Sequence, residues 1–188
     1  YLTAIFYILS ILSFLIYLRF EYNPTIELNY FSRLFLFVIA SIFLIIGNRI
    51  YGNFYVEKVE DKKKITRISQ SIIFIYYIIF LFNMVLFARY YYFNGYNLVP
   101  FKVIGKLIGS GDFYSIIINI FGNVFIFMPL EYFMMELFGI QKSILNGILS
   151  FLFVLFIESI QYIFKVGIFD VDDLVLCTFG MMLFYFVY

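Results

Sequence analysis

The chain has 188 residues, of which 64% are hydrophobic, 24% aromatic and 13% charged, with one cysteine, no histidine, no tryptophan and a formal net charge of +1. A soluble domain draws about a quarter of its residues from charged types and under about half from apolar ones, so this composition describes an integral membrane protein. Lack of histidine excludes Ser-His-Asp, Cys-His and HExxH chemistry, a lone Cys177 forms no intrachain disulfide, and the near-zero charge without a basic face excludes nucleic acid as a partner.

A helix needs about 20 apolar residues to cross the hydrocarbon of a bilayer. Six runs approach this length. Tyr1 to Leu18 is uncharged and ends at Arg19, and Leu34 to Asn48 extends backwards over Arg33 to Asn29. Ile68 to Ala88 is bounded by Arg67 and Arg89, and a fourth run goes from Phe113 to Phe138, with Glu131 and Glu136 in its final turns and Pro129 interrupting it. The fifth, Ser143 to Phe164, contains one acid, Glu158; the sixth, Leu174 to Tyr188, is only 15 residues. The prediction is an all-α polytopic transmembrane helix bundle of about six spans, the last one short, forming a single membrane domain over 1–188. The start at Tyr1 and the short last run predict further residues in the natural protein. The first run lacks a basic leader and a small-residue cleavage site, so it reads as a retained helix. Tyr17, Tyr22, Tyr90, Tyr91 and Tyr92 fall near span ends, where an apolar ring and a polar hydroxyl each find their medium.

Loop charge sets orientation. Arg49, Lys58, Lys62, Lys63, Lys64 and Arg67 form the densest basic stretch, and placing it in the cytoplasm with Lys142 gives seven basic residues inside against five outside (Arg19, Arg89, Lys102, Lys106 and Lys165). Both termini then lie in the cytoplasm, and the Asn97 and Asp170 loops outside. The mixed run Glu57 to Lys64 reads as a solvated hairpin loop.

The two outer loops carry the unusual residues. Arg89 to Asp112 holds Asn97-Leu98-Val99-Pro100-Phe101-Lys102, an apolar, proline-fixed segment that reads as a partly re-entrant or interfacial piece between spans three and four. Gly105, Gly109, Ser110 and Gly111 after it read as a flexible connection, since no phosphate-loop Lys-Ser/Thr pair follows. Glu158 and Gln161 lie three apart on one helical face, with Glu158 about 9 Å below the outer end of its span. An acid at that depth needs a partner, a wet cavity or a proton, and Arg89 and Lys165 are the candidate partners. Asn119 and Asn123 form an i, i+4 pair that serves either a pocket or interhelical hydrogen bonding. Asp170, Asp172 and Asp173 precede the last span, where they either cap the helix or hold a hard cation such as Mg²⁺ or Mn²⁺.

These residues resemble the VanZ-like family of bacterial membrane proteins. The resemblance rests on Arg89, Asn97-Leu98-Val99-Pro100-Phe101, Asn119-Ile120-Phe121-Gly122-Asn123 through Phe127-Met128-Pro129, Glu158-Ser159-Ile160-Gln161, and Asp170-Val171-Asp172-Asp173-Leu174 through Thr178-Phe179-Gly180. It covers 89–188. The chain departs from the family where Glu131 replaces a usual glycine, Gly167 an arginine, Cys177 an asparagine and Phe184 a glycine. The resemblance implies a bacterial cytoplasmic-membrane protein acting on the cell envelope, with an association to glycopeptide resistance of the teicoplanin type.

Three functions compete. The first is a non-enzymatic outward-facing pocket of Arg89, Asn97, Pro100, Asn119, Asn123, Glu158, Gln161, Asp170, Asp172 and Asp173. It would bind the head of an amphiphile, such as a lipid-linked envelope component or a lipidated glycopeptide, among membrane lipids. The second is a metal-assisted membrane enzyme acting on a lipid-linked phosphate or sugar. The third is a lipid or small-molecule transporter, disfavoured because the two halves show no corresponding broken helices.

Overall fold

The computed structural model describes residues 1–23, 29–87, 95–141 and 143–188, and the chain divides into two compact units, Tyr1–Met84 and Val85–Tyr188. Five helical segments are long and apolar enough to cross a membrane: Leu2–Glu21, Phe31–Phe54, Val59–Leu86, Phe113–Glu136 and Ile144–Ile163. Between 17% and 33% of each is buried inside the protein, so most of their apolar surface is left for lipid. The last helix, with 17 residues, is shorter.

In the first unit, α1 (Leu2–Glu21) and α2 (Tyr30–Phe54) pack along their length, followed by α3 (Val59–Phe82). Small residues allow the approach. Ser10 and Ala40 are fully buried, and the Ser10 hydroxyl donates to the Ala40 carbonyl at 2.8 Å. Phe14 stacks on Tyr76 at 4.0 Å between ring centroids and Phe37 on Phe80 at 4.8 Å, filling the space between helices. At one end Tyr22 donates to Asn83 Oδ1 (2.9 Å), Asn83 Nδ2 donates to Tyr17 (3.1 Å), and Arg33 pairs with Glu21 at 2.9 Å. Asn83 opens a π-helical turn, Asn83–Phe87.

The expected hairpin loop over Glu57 to Lys64 is mostly helix, because α3 already begins at Val59. Glu60 and Asp61 occupy its first turn, where unpaired N–H groups favour negative charge, and lysine and glutamate are good helix formers.

In the second unit a two-residue strand β1 (Tyr96–Asn97) leads through a turn to α4 (Lys102–Ser110) and a short α5 (Phe113–Ile116). A π-helical turn, Ile117–Phe121, joins α5 to α6 (Gly122–Glu136); α7 (Ser143–Ile163), β2 (Phe169–Asp170) and α8 (Val171–Val187) complete the chain. Helix α8 packs on both α6 and α7. The strands pair in parallel, Tyr96 opposite Phe169 and Asn97 opposite Asp170.

Two expectations about this unit are corrected. Pro129 does not interrupt its span: α6 runs through it, since a proline removes a single ladder bond and the irregular turn lies earlier, at Ile117–Phe121. Gly105 and Gly109 belong to helix α4 rather than to a loose connection. The bonds that fix α4 come from a residue about 70 positions away.

Candidate functional site

That residue is Asp172. Its Oδ1 accepts the Phe101 N–H at 2.5 Å and its Oδ2 accepts Val103 N–H at 2.7 Å and Ile104 N–H at 3.1 Å, so one buried carboxylate satisfies the open amides at the start of α4. Pro100 and the left-handed Phe101 (φ 61°) stand at the centre of a turn closed by Lys102 N–H to the Val99 carbonyl at 3.4 Å. A non-glycine residue there costs roughly 1–2 kcal/mol, which the Phe101 amide bond to Asp172 offsets.

Asp170 caps α8: its Oδ1 accepts Asp172 N–H at 2.9 Å and also the Asn97 side-chain amide at 2.9 Å, across the strand pair. The Asp170 N–H donates to Glu158 Oε2 at 3.1 Å, which ties the loop to the penultimate turn of α7. Asn123, on α6, donates to Asp173 Oδ1 at 2.5 Å. Glu158, Gln161, Asp170 and Asp172 are all buried, with Gln161 1% exposed. The chain leaves α7 through a left-handed Lys165 (φ 57°), with Val166 N–H bonded to the Gln161 carbonyl at 3.0 Å.

The structure therefore brings Asn97, Glu158, Asp170 and Asp172 into one hydrogen-bonded network at the start of α8, with Asp173, paired with Asn123, in the same helical turn. Gln161 adjoins it on α7, donating from Nε2 to the Val85 carbonyl at 2.9 Å, while its buried Oε1 has no hydrogen-bond partner among the described residues. A Cβ added at Gly167 would stand 3.3 Å from that oxygen. Asn119 takes another place. The π-helical turn that contains it shifts the helical register, leaving Asn119 exposed and donating to the Ser115 carbonyl of its own helix at 2.8 Å. Pro100 is exposed and acts on the turn, and Arg89 lies outside the described residues. Lys165 is exposed and makes no ion pair among the described residues.

Asp170 Oδ1, both oxygens of Asp172 and Asp173 Oδ1 accept from N–H groups. Among the described residues no group of three or more acid, cysteine or histidine side chains is placed to hold a metal ion.

A second buried cluster lies on α6 and α7. Glu131, fully buried, accepts from the Asn146 side-chain amide through Oε1 and from the Ser150 hydroxyl through Oε2 at 3.1 Å; Asn146 Oδ1 has no partner among the described residues. In the sequence Glu131 stands out as an acid late in the fourth apolar run and as a departure from the family pattern. Asn146 and Ser150, an i, i+4 polar pair inside an apolar run, were the sequence signal for its partners.

Apolar helices of spanning length, with a buried acid network where two loops meet, define a multi-pass membrane protein of the helix-bundle class. The family model described as VanZ/LLP1 matches residues 72–188, well over half the chain. The chain belongs to the VanZ-like family. No curated protein and no solved structure matches it.

Proposed function

We propose that this VanZ-like protein binds the polar head of an amphiphile at the junction of β1, β2 and the ends of α6, α7 and α8. In this reading it is non-enzymatic and serves the bacterial cell envelope, with glycopeptide resistance of the teicoplanin type as the phenotype. It would sit in the cytoplasmic membrane with both termini inside and the Asn97 and Asp170 loops outside, so that the site faces envelope lipids and lipidated antibiotics. The observation that carries the reading is Gln161, whose amide nitrogen is held by the Val85 carbonyl while its buried oxygen has no partner among the described residues. A buried acceptor without a donor costs about 1–3 kcal/mol, which an amino or hydroxyl group of a ligand would recover. Glu158, one turn away on the same face, adds a carboxylate that favours such a donor-bearing head. The metal-assisted alternative has less support, because Asp170 Oδ1, both oxygens of Asp172 and Asp173 Oδ1 already accept from N–H donors.

The test is a glycopeptide-susceptibility assay on cells expressing the protein, with Glu158→Gln and Gln161→Leu variants at matched expression. Loss of protection in both supports the reading. Undiminished protection in both overturns it, and native mass spectrometry of the purified protein would identify the retained amphiphile.

A further inference from the structure

Segment 97–110 presents an unusual surface. Helix α4 is nine residues, about 14 Å, too short to cross a bilayer. Its Val103, Ile104 and Leu107 are partly covered. Around them Leu98, Val99, Phe101 and Ile108 are 59%, 55%, 64% and 60% exposed. Lys102 and Lys106, one turn apart on α4, are exposed and form no ion pair among the described residues. The segment is held rigidly: β1 pairs with β2 just after α7 ends, and Asp172 in the first turn of α8 binds three of its amides. It begins where one apolar helix stops and the next starts, which is the depth of the lipid head groups. Large apolar side chains fixed at that depth meet acyl chains, and lysines beside them meet phosphates.

We propose that segment 97–110 is a binding site for anionic lipid. Leu98, Val99, Phe101 and Ile108 enter the acyl edge of the bilayer, while Lys102 and Lys106 hold the phosphates of anionic head groups. The occupant is the bilayer itself rather than free phosphate, because the exposed apolar area beside the lysines has no use for a soluble anion. Of the acids nearby, Asp170 and Asp172 are buried and engaged with N–H donors, and the exposed Asp112 is taken up by the Ser115 and Tyr114 groups at the start of α5.

The absence of tryptophan from the chain gives a clean assay. Phe101→Trp, and Leu98→Trp should the first fail to fold, supplies a single indole, excited selectively at wavelengths beyond the absorption of the 18 tyrosines, in the full chain reconstituted in phosphatidylcholine vesicles containing phosphatidylglycerol. Bromine-labelled phosphatidylglycerol should quench it severalfold more than bromine-labelled phosphatidylcholine at equal mole fraction. Lys102→Gln/Lys106→Gln should abolish that preference, and Lys62→Gln/Lys63→Gln should leave it intact. Equal quenching by the two lipids, or a preference that survives the Lys102/Lys106 replacement, overturns the proposal. Quenching by aqueous iodide but by neither lipid shows a surface facing water, and quenching by none of the three shows one covered by protein; either overturns it too.

Discussion

Gly180 of α8 crosses α6 so closely that a Cβ at position 180 would stand 2.0 Å from the Val124 carbonyl oxygen. The obstacle is backbone on a helix already packed against its neighbour, so relief requires moving α6 or α8 as a body. Gly180→Ala should cost at least the upper end of overpacking penalties, about 3 kcal/mol, and lower the thermal midpoint in detergent. Gly147→Ala is the control. Its new Cβ would meet the flexible Met182 thioether at 3.3 Å, and stability should change little.

Asp172→Ala should free α4. Three amides lose their acceptor, at a combined cost of roughly 1–3 kcal/mol, and the chain around Lys102 and Lys106 should become a preferred trypsin site. Faster hydrogen exchange confined to Phe101, Val103 and Ile104 would confirm the cause. Unchanged exchange there would show that the cap is dispensable.

Glu131→Gln and Glu131→Ala should diverge. Glutamine keeps an acceptor for Ser150 or Asn146 and adds a donor for the unpartnered Asn146 Oδ1, so it should be neutral or stabilising in thermal unfolding. Alanine leaves buried polar groups unpaired and opens a cavity, and should destabilise by about 2 kcal/mol or more. Equal behaviour of the two variants would contradict the hydrogen-bonded role of the side chain.

Asp112 caps α5 from the surface. The Ser115 hydroxyl, at 2.5 Å, and then the Ser115 and Tyr114 amides hold its carboxyl below the ordinary aspartate range. A carboxylate lowered on folding contributes its stabilisation above the ordinary range and loses it as pH falls through the native value. NMR titration should show that Ser115→Ala moves the Asp112 midpoint upward, with α5 loosening at correspondingly higher pH.

Spans were legible because a bilayer demands long uncharged helices, and that demand is written directly into runs such as Ile68 to Phe82. Charged turns carry no such signal, so the sequence suggests a loop where α3 already begins, at Val59. Helix α4 was hidden for a different reason. Its glycines argue against helix locally, and what overrides them is a carboxylate on α8, a long-range contact that spacing cannot reveal. In the site, Glu158 and the aspartates drew notice as charges in an apolar chain, and they do meet. Asn119 illustrates the limit of helical arithmetic: an i, i+4 relation to Asn123 assumes 3.6 residues per turn, and the π-helical turn between them breaks that assumption.

The parallel sense of the Asn97–Asp170 pairing has an electrostatic consequence. Strands running the same way deliver their following helices from the same edge, so α4 and α8 both begin beside Asp170 and Asp172. Each helix start carries about half a positive elementary charge from its aligned peptide dipoles, and two together supply roughly one. Backbone dipoles thus offset about one of the carboxylates gathered at this junction, while Lys102 and Lys106 stay exposed and without an ion pair among the described residues.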